Sequence, residues 1–119
     1  MLPRDDAIRL RHMLDAARDA LTFVHGRTRQ DLDTDRLLSY GLVRAIEVIG
    51  EAASKVTADG RGAAPGIPWP SVIGMRNRIV HAYYDIDLDR VWDTITDDLP
   101  PLVTELTQLL SERGNAPTH

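Results

Sequence analysis

Apolar residues recur along this chain at spacings of four and three, and no strand is expected from their pattern. Leu10, Leu14, Ala17, Leu21 and Val24 keep that spacing, as do Leu38, Leu42, Ala45, Ile49, Ala52 and Val56. Leu88, Val91, Ile95, Leu99, Leu102, Leu106 and Leu109 form a third set. Such spacing gathers each set on one face of an α-helix, whereas a half-buried strand alternates. The chain is therefore expected to be all-α, an antiparallel bundle of four to five helices with mostly short links. Its 119 residues suit one domain, 1–119, around one modest core.

Local signals place the ends. Pro3 with Asp5 and Asp6 suits a helix start at about Arg4, and Gly26 a stop after Val24. The second helix is expected to begin after the Asp31–Asp35 segment and to run to about Val56. Gly41 and Gly50 inside it each cost about 1 kcal/mol relative to Ala, which implies that another helix approaches closely there. Residues 58–70, rich in glycine and proline, read as a loop, with Ile67 and Trp69 plugging one end of the core. A third helix is expected from Pro70 to Tyr83. Asp87 suits the N-cap of a fourth. Pro100 and Pro101 interrupt that helix by a kink or a restart, and the tail from Gly114 is expected to fray.

Absences narrow the chemistry. The chain has no cysteine, hence no thiolate nucleophile and no cysteine-ligated zinc. It has no His-x-x-x-His pair, no Gly-x-Ser-x-Gly elbow and no Gly-x-x-x-x-Gly-Lys phosphate loop, so no metal and no cofactor are expected. No apolar run approaches a membrane span, which fits a cytoplasmic protein. The net charge of −4 counts against sequence-blind electrostatic binding of nucleic acid, and an aromatic content of 5% against a stacking platform.

One stretch resists a structural reading. Residues 75–84, Met-Arg-Asn-Arg-Ile-Val-His-Ala-Tyr-Tyr, pack two guanidiniums, an amide, an imidazole and two phenols into ten positions. Arginine binds phosphate, and histidine exchanges protons near neutral pH. With metal and serine chemistry set aside, metal-free cleavage of RNA remains, because its nucleophile is the substrate's own 2′-hydroxyl. His81 is the expected general acid/base, and Arg76 the group that stabilises the charged phosphorane. Asn77 would orient His81 or the phosphate, and Tyr83 would contact the phosphate or a base.

Arg76 and His81 are five residues apart, so on an ideal helix they diverge by about 140°. Either the helix ends near His81, or two copies of it meet across a two-fold axis and share one cleft. This geometry favours a homodimer. On the second helix Tyr40, Arg44, Glu47 and Glu51 form a polar stripe. It is either a solvated face with Arg–Glu pairs at i,i+3, or a surface on which Arg44 and Glu51 face a partner or the rim of a site. His12 and His25 read as structural, and Trp69 and Trp92 as core.

Arg76-x4-His81-x-Tyr83 resembles the Arg-x4-6-His motif of HEPN domains, and more closely the Arg-x4-His-x-Tyr form of HepT-like toxins. The polar Asn77 after the arginine is also typical. Arg44-Ala-Ile-Glu-Val-Ile-Gly-Glu-Ala-Ala53, Ile67-Pro-Trp69, Asp85-Ile-Asp-Leu-Asp-Arg-Val-Trp92 and Asp98-Leu-Pro-Pro101 extend the resemblance over nearly the whole chain. It implies a HEPN-like all-α bundle that dimerises with the motif at a composite cleft. It also implies a metal-independent endoribonuclease, the toxin of a type VII-like toxin–antitoxin pair. The implied partner is a minimal nucleotidyltransferase antitoxin that adds AMP to Tyr83. A bulky anion two residues from His81 would block the cleft and repel RNA phosphates. The substrate would be RNA, with tRNA and mRNA both open. A reading of another class is a non-catalytic module of a two-component nucleotidyltransferase, in which Arg76 and His81 hold a nucleotide.

Overall fold

The computed structural model describes residues 2–80 and 85–115, with side chains as far as Ser111. The described residues are overwhelmingly helical. Their one β feature is an isolated antiparallel bridge between Val80 and Ile86.

The first helix, α1, spans Arg4–Val24 and follows Pro3, with Asp5 and Asp6 in its first turn. Gly26, at φ 74°, takes the left-handed conformation that turns the chain away. A single turn, α2 (Asp31–Thr34), precedes the long α3 (Arg36–Lys55). Asp35 caps α3 by accepting the Leu38 N–H at 3.0 Å. That bond, then the Arg27 guanidinium, holds the Asp35 carboxyl below the ordinary carboxylate range.

The segment expected as a loop opens with a helical turn, α4 (Ala58–Gly62), capped by Thr57. Its support comes from far away in sequence. Asp6, 2% exposed, accepts the Thr57 hydroxyl and the Thr57 N–H. The carboxylate therefore sits at the N-terminus of α4, where a helix favours negative charge. Beyond α4, Ile67 and Trp69 are buried, and the Trp69 indole donates to the Ala64 carbonyl at 3.1 Å.

The expected third helix is two short ones, α5 (Trp69–Ile73) and α6 (Met75–Ile79), parted at Gly74. It also ends earlier than Tyr83. Val80 is extended at φ −109° and ψ 123°, and the Asp87 N–H donates to the Ile79 carbonyl at 2.8 Å. The backbone partner of Ile79 thus comes from across the chain, where a continuing helix would have taken it from residue 83. His81, Tyr83 and Tyr84 lie outside the described residues.

Asp87 caps α7 (Leu88–Asp93), accepting from the Arg90 N–H. A π-helical stretch, Thr94–Asp98, leads into α8 (Leu99–Asn115). Of the tail expected to fray from Gly114, residues 116–119 lie outside the described residues. In the π-helical stretch the Leu99 N–H reaches back five residues to the Thr94 carbonyl. The wider turn lies just ahead of Pro100 and Pro101, neither of which has an N–H to give. Pro100 and Pro101 stand in the first turn of α8, so the helix restarts there, one of the two outcomes the sequence left open.

Asp6 on Thr57 at one end and Phe23 against Gly41 at the other set α1 antiparallel to α3. α3 is central, packed against α1, α5 and α6, while α8 packs on α1. The core joins Leu10, Met13 and Leu14 to Leu42, Ile46, Ile49, Ile79, Ile95, Leu99 and Leu106. Trp92 is only half-buried at its edge. Both glycines of α3 meet a neighbour, as their cost implied. A Cβ at Gly41 would stand 3.4 Å from the Phe23 ring, and one at Gly50 3.3 Å from the Ile73 carbonyl oxygen.

Candidate active site

Met75 and Ile79, at 2% and 0% exposure, anchor α6 by one buried edge. Residues four apart share a helix face, so the three between them, Arg76, Asn77 and Arg78, project outward. The two arginines then part. Arg78 donates to the Ser71 carbonyl at 3.2 Å and lies 3.6 Å from Asp98, so it ties α6 to α5 and to the π-helical stretch. Arg76 turns the other way, onto α3, where its Nε is 3.4 Å from Oε2 of Glu47. Glu47 therefore serves a distant arginine rather than Arg44 on its own helix, which the i,i+3 spacing had paired with it.

Arg76 and Asn77 stand at an open groove of about 590 Å³. α3 contributes Arg44, Glu47, Glu51 and Lys55 to its lining, so the stripe that includes Arg44 and Glu51 shares a cavity with Arg76 and Asn77. α1 contributes Arg9 and His12. His12, read from sequence as structural, is exposed there; His25 is exposed beyond the end of α1, outside this lining. Neither Arg9 nor His12 stood out in the sequence. They reach the groove through the register of α1 on α3, which no local motif encodes.

The groove departs from the charge of the chain. Arg9, Arg44, Lys55 and Arg76 face Glu47 and Glu51, four positive charges against two, on a chain whose net charge is −4. Lys55 pairs with Glu51 at 3.3 Å and Arg76 with Glu47 at 3.4 Å. Among the described residues no carboxylate lies within ion-pair distance of Arg9 or Arg44. Such a surface accepts anions. Among the described residues no group of three His, Asp or Glu side chains is placed to hold a metal ion. No helix among the described residues is long and apolar enough to cross a membrane.

An all-α domain with a cationic groove beside an Arg-Asn pair is the class that fold and groove define. The profile of one family, described as "Ribonuclease HepT-like", matches residues 13–109. A Methanocaldococcus jannaschii protein named "Putative RNase MJ1380" is 30% identical over 106 residues, 89% of this chain and 97% of that one. A Thermococcus cleftensis protein named "Probable ribonuclease HepT" is 30% identical over 95 residues, 76% of this chain and 86% of that one. No solved structure matches significantly. The chain belongs to the HepT-like ribonuclease family.

Proposed function

We propose that this chain is a metal-independent endoribonuclease, a single domain over 1–119 that acts in the cytoplasm as the toxin of a type VII-like toxin–antitoxin pair. The observation that carries the reading is the placement of Arg76. It stands exposed in a groove with an excess of positive charge, on a chain of a ribonuclease family. RNA supplies its own nucleophile. His81 removes the proton of the 2′-hydroxyl, whose oxygen attacks the adjacent phosphorus. The bond from phosphorus to the 5′ oxygen breaks, the leaving oxygen takes up a proton, and a cyclic phosphate remains. Arg76 stabilises the charge that builds on the phosphoryl oxygens, and Asn77 orients the phosphate or His81. Two copies form a homodimer with a composite cleft. A minimal nucleotidyltransferase antitoxin silences it by transferring AMP to Tyr83.

Purified protein, its intact mass confirming that Tyr83 is unmodified, is incubated with total cellular RNA in EDTA. Cleavage by wild type, absent in His81→Ala and lowered about 10²–10³-fold in Arg76→Ala, is the expected result. No cleavage by unmodified wild type overturns the ribonuclease reading. Nucleotide binding that survives His81→Ala but not Arg76→Ala would then favour the nucleotide-holding module.

A further inference from the structure

We propose that Arg9 and Arg44, with His12, form an RNA-backbone subsite that holds the phosphates flanking the scissile one. This rests on the ribonuclease reading above and adds to it a substrate track built from α1 and α3.

The geometry points to a track rather than a point. Asp6 at Thr57 and Phe23 at Gly41 fix the antiparallel register of α1 on α3. Arg9, about one turn beyond Asp6, therefore stands near the Lys55 end of the groove, and Arg44 lies toward the other end. Eleven residues of α3 separate positions 44 and 55, about 16 Å at 1.5 Å per residue. Arg76 enters between those ends through its contact with Glu47. The cation proposed for the scissile phosphate is thus bracketed by two others.

Those two are also the ones left available. Glu51 and Glu47 occupy Lys55 and Arg76, while among the described residues Arg9 and Arg44 have no carboxylate partner. A guanidinium without a carboxylate in a shared groove is set to take a phosphate in a forked pair of hydrogen bonds. His12, three residues on from Arg9, lies on the same face of α1 and lines the same groove. Its imidazole offers a hydrogen bond to a phosphate or ribose oxygen. The cationic floor ends nearby. His12 and Arg44 also line the next crevice between α1 and α3, whose other side chains include Asp15, Asp19 and Phe23, which repel or ignore a phosphate backbone. The track therefore runs from Arg44 past Arg76 toward Arg9.

The experiment measures binding without cleavage. In a His81→Ala background, the Kd for a fluorescein-labelled single-stranded RNA of mixed sequence is followed by anisotropy against salt concentration. Each phosphate contact to a single strand contributes about 0.7 to the slope of log K against log salt. Arg9→Gln with Arg44→Gln is expected to lower that slope by about 1.4. Arg4→Gln with Arg11→Gln, an equal charge change at exposed sites outside the groove lining, is expected to leave it unchanged. Arg9→Lys with Arg44→Lys is expected to keep the slope while weakening binding, because lysine retains the charge and loses the fork. Helical circular dichroism checks that each variant folds. An unchanged slope in the Arg9/Arg44 variant, while the wild-type protein cleaves RNA in EDTA, overturns the subsite and leaves the nuclease standing. Absence of cleavage by wild type together with absence of RNA binding by the His81→Ala parent overturns both. Loss of ATP binding instead of RNA binding in that variant overturns the assignment to RNA.

Discussion

Arg76 Nε lies 3.4 Å from Oε2 of Glu47, so the cation proposed to meet the scissile phosphate is tied to α3 and not to its own short helix. The two side chains keep 48% and 36% of their surface exposed, so the pair contributes at most about 1 kcal/mol to stability. In the proposed reaction its weight falls on the substrate. Glu47→Gln removes a negative charge beside the position proposed for the phosphate and keeps an oxygen that accepts from Arg76. The expected outcome is a lower KM for RNA and a melting temperature close to wild type, checked by steady-state cleavage and thermal unfolding.

The two arginines of α6 are expected to separate in function. Arg78 faces the Ser71 carbonyl and Asp98, away from the groove. Arg78→Ala is expected to keep RNA cleavage near wild type and to lower stability by about 1 kcal/mol or less. Arg76→Ala reverses the pattern. Cleavage assays beside urea melts check both.

Asp6 ties the start of α1 to the end of α3, and it makes the fold sensitive to acid. The Thr57 hydroxyl first, then the backbone N–H groups of Thr57 and Gly60, hold its carboxyl below the ordinary range despite the opposing effect of burial. The folded form therefore gives up its proton more readily than the unfolded chain. This stabilisation is complete above the unfolded carboxylate value of about 4 and is lost as pH falls through the lower folded value. Thr57→Val removes the hydroxyl donor. It is expected to cost roughly 1.5–3 kcal/mol at neutral pH and less as the solution is made more acidic. Urea unfolding across that range measures both effects.

Gly41 and Gly50 are expected to answer differently to alanine. At Gly41 the added methyl makes ordinary contact with the Phe23 ring, so Gly41→Ala gains about 0.5–1 kcal/mol. At Gly50 the methyl meets the Ile73 carbonyl oxygen at 3.3 Å, a backbone atom that yields only if α5 moves. Gly50→Ala is expected to gain less than Gly41→Ala or to lose stability. Paired thermal melts decide.

What the sequence made legible was local. Pro3 and Gly26 bound α1, α3 begins after the Asp31–Asp35 segment, Asp87 caps α7, and the glycines of α3 mark close approaches. What it hid was set by partners far along the chain. α4 looked like a loop because its glycines obscure a turn whose support, Asp6, stands 51 residues away from Thr57. The helix expected to reach Tyr83 stops at Ile79 because Asp87 takes the Ile79 carbonyl and Val80 pairs with Ile86. The candidate site divides likewise. Arg76, Asn77 and the Arg44–Glu51 stripe stood out by residue type and spacing. Glu47 as the partner of Arg76, and Arg9 and His12 as groove residues, depend on how helices pack, and no short motif records that.

The bridge between Val80 and Ile86 bears on how such a chain can diversify. It fastens the entrance and the exit of the stretch that includes His81 and Tyr83 to one place on the framework. The Asp87 N–H bond to the Ile79 carbonyl beside it is made by main-chain atoms alone. That anchor does not depend on which side chains stand at those two positions, so the framework that presents Arg76 keeps its end while the surrounding sequence changes.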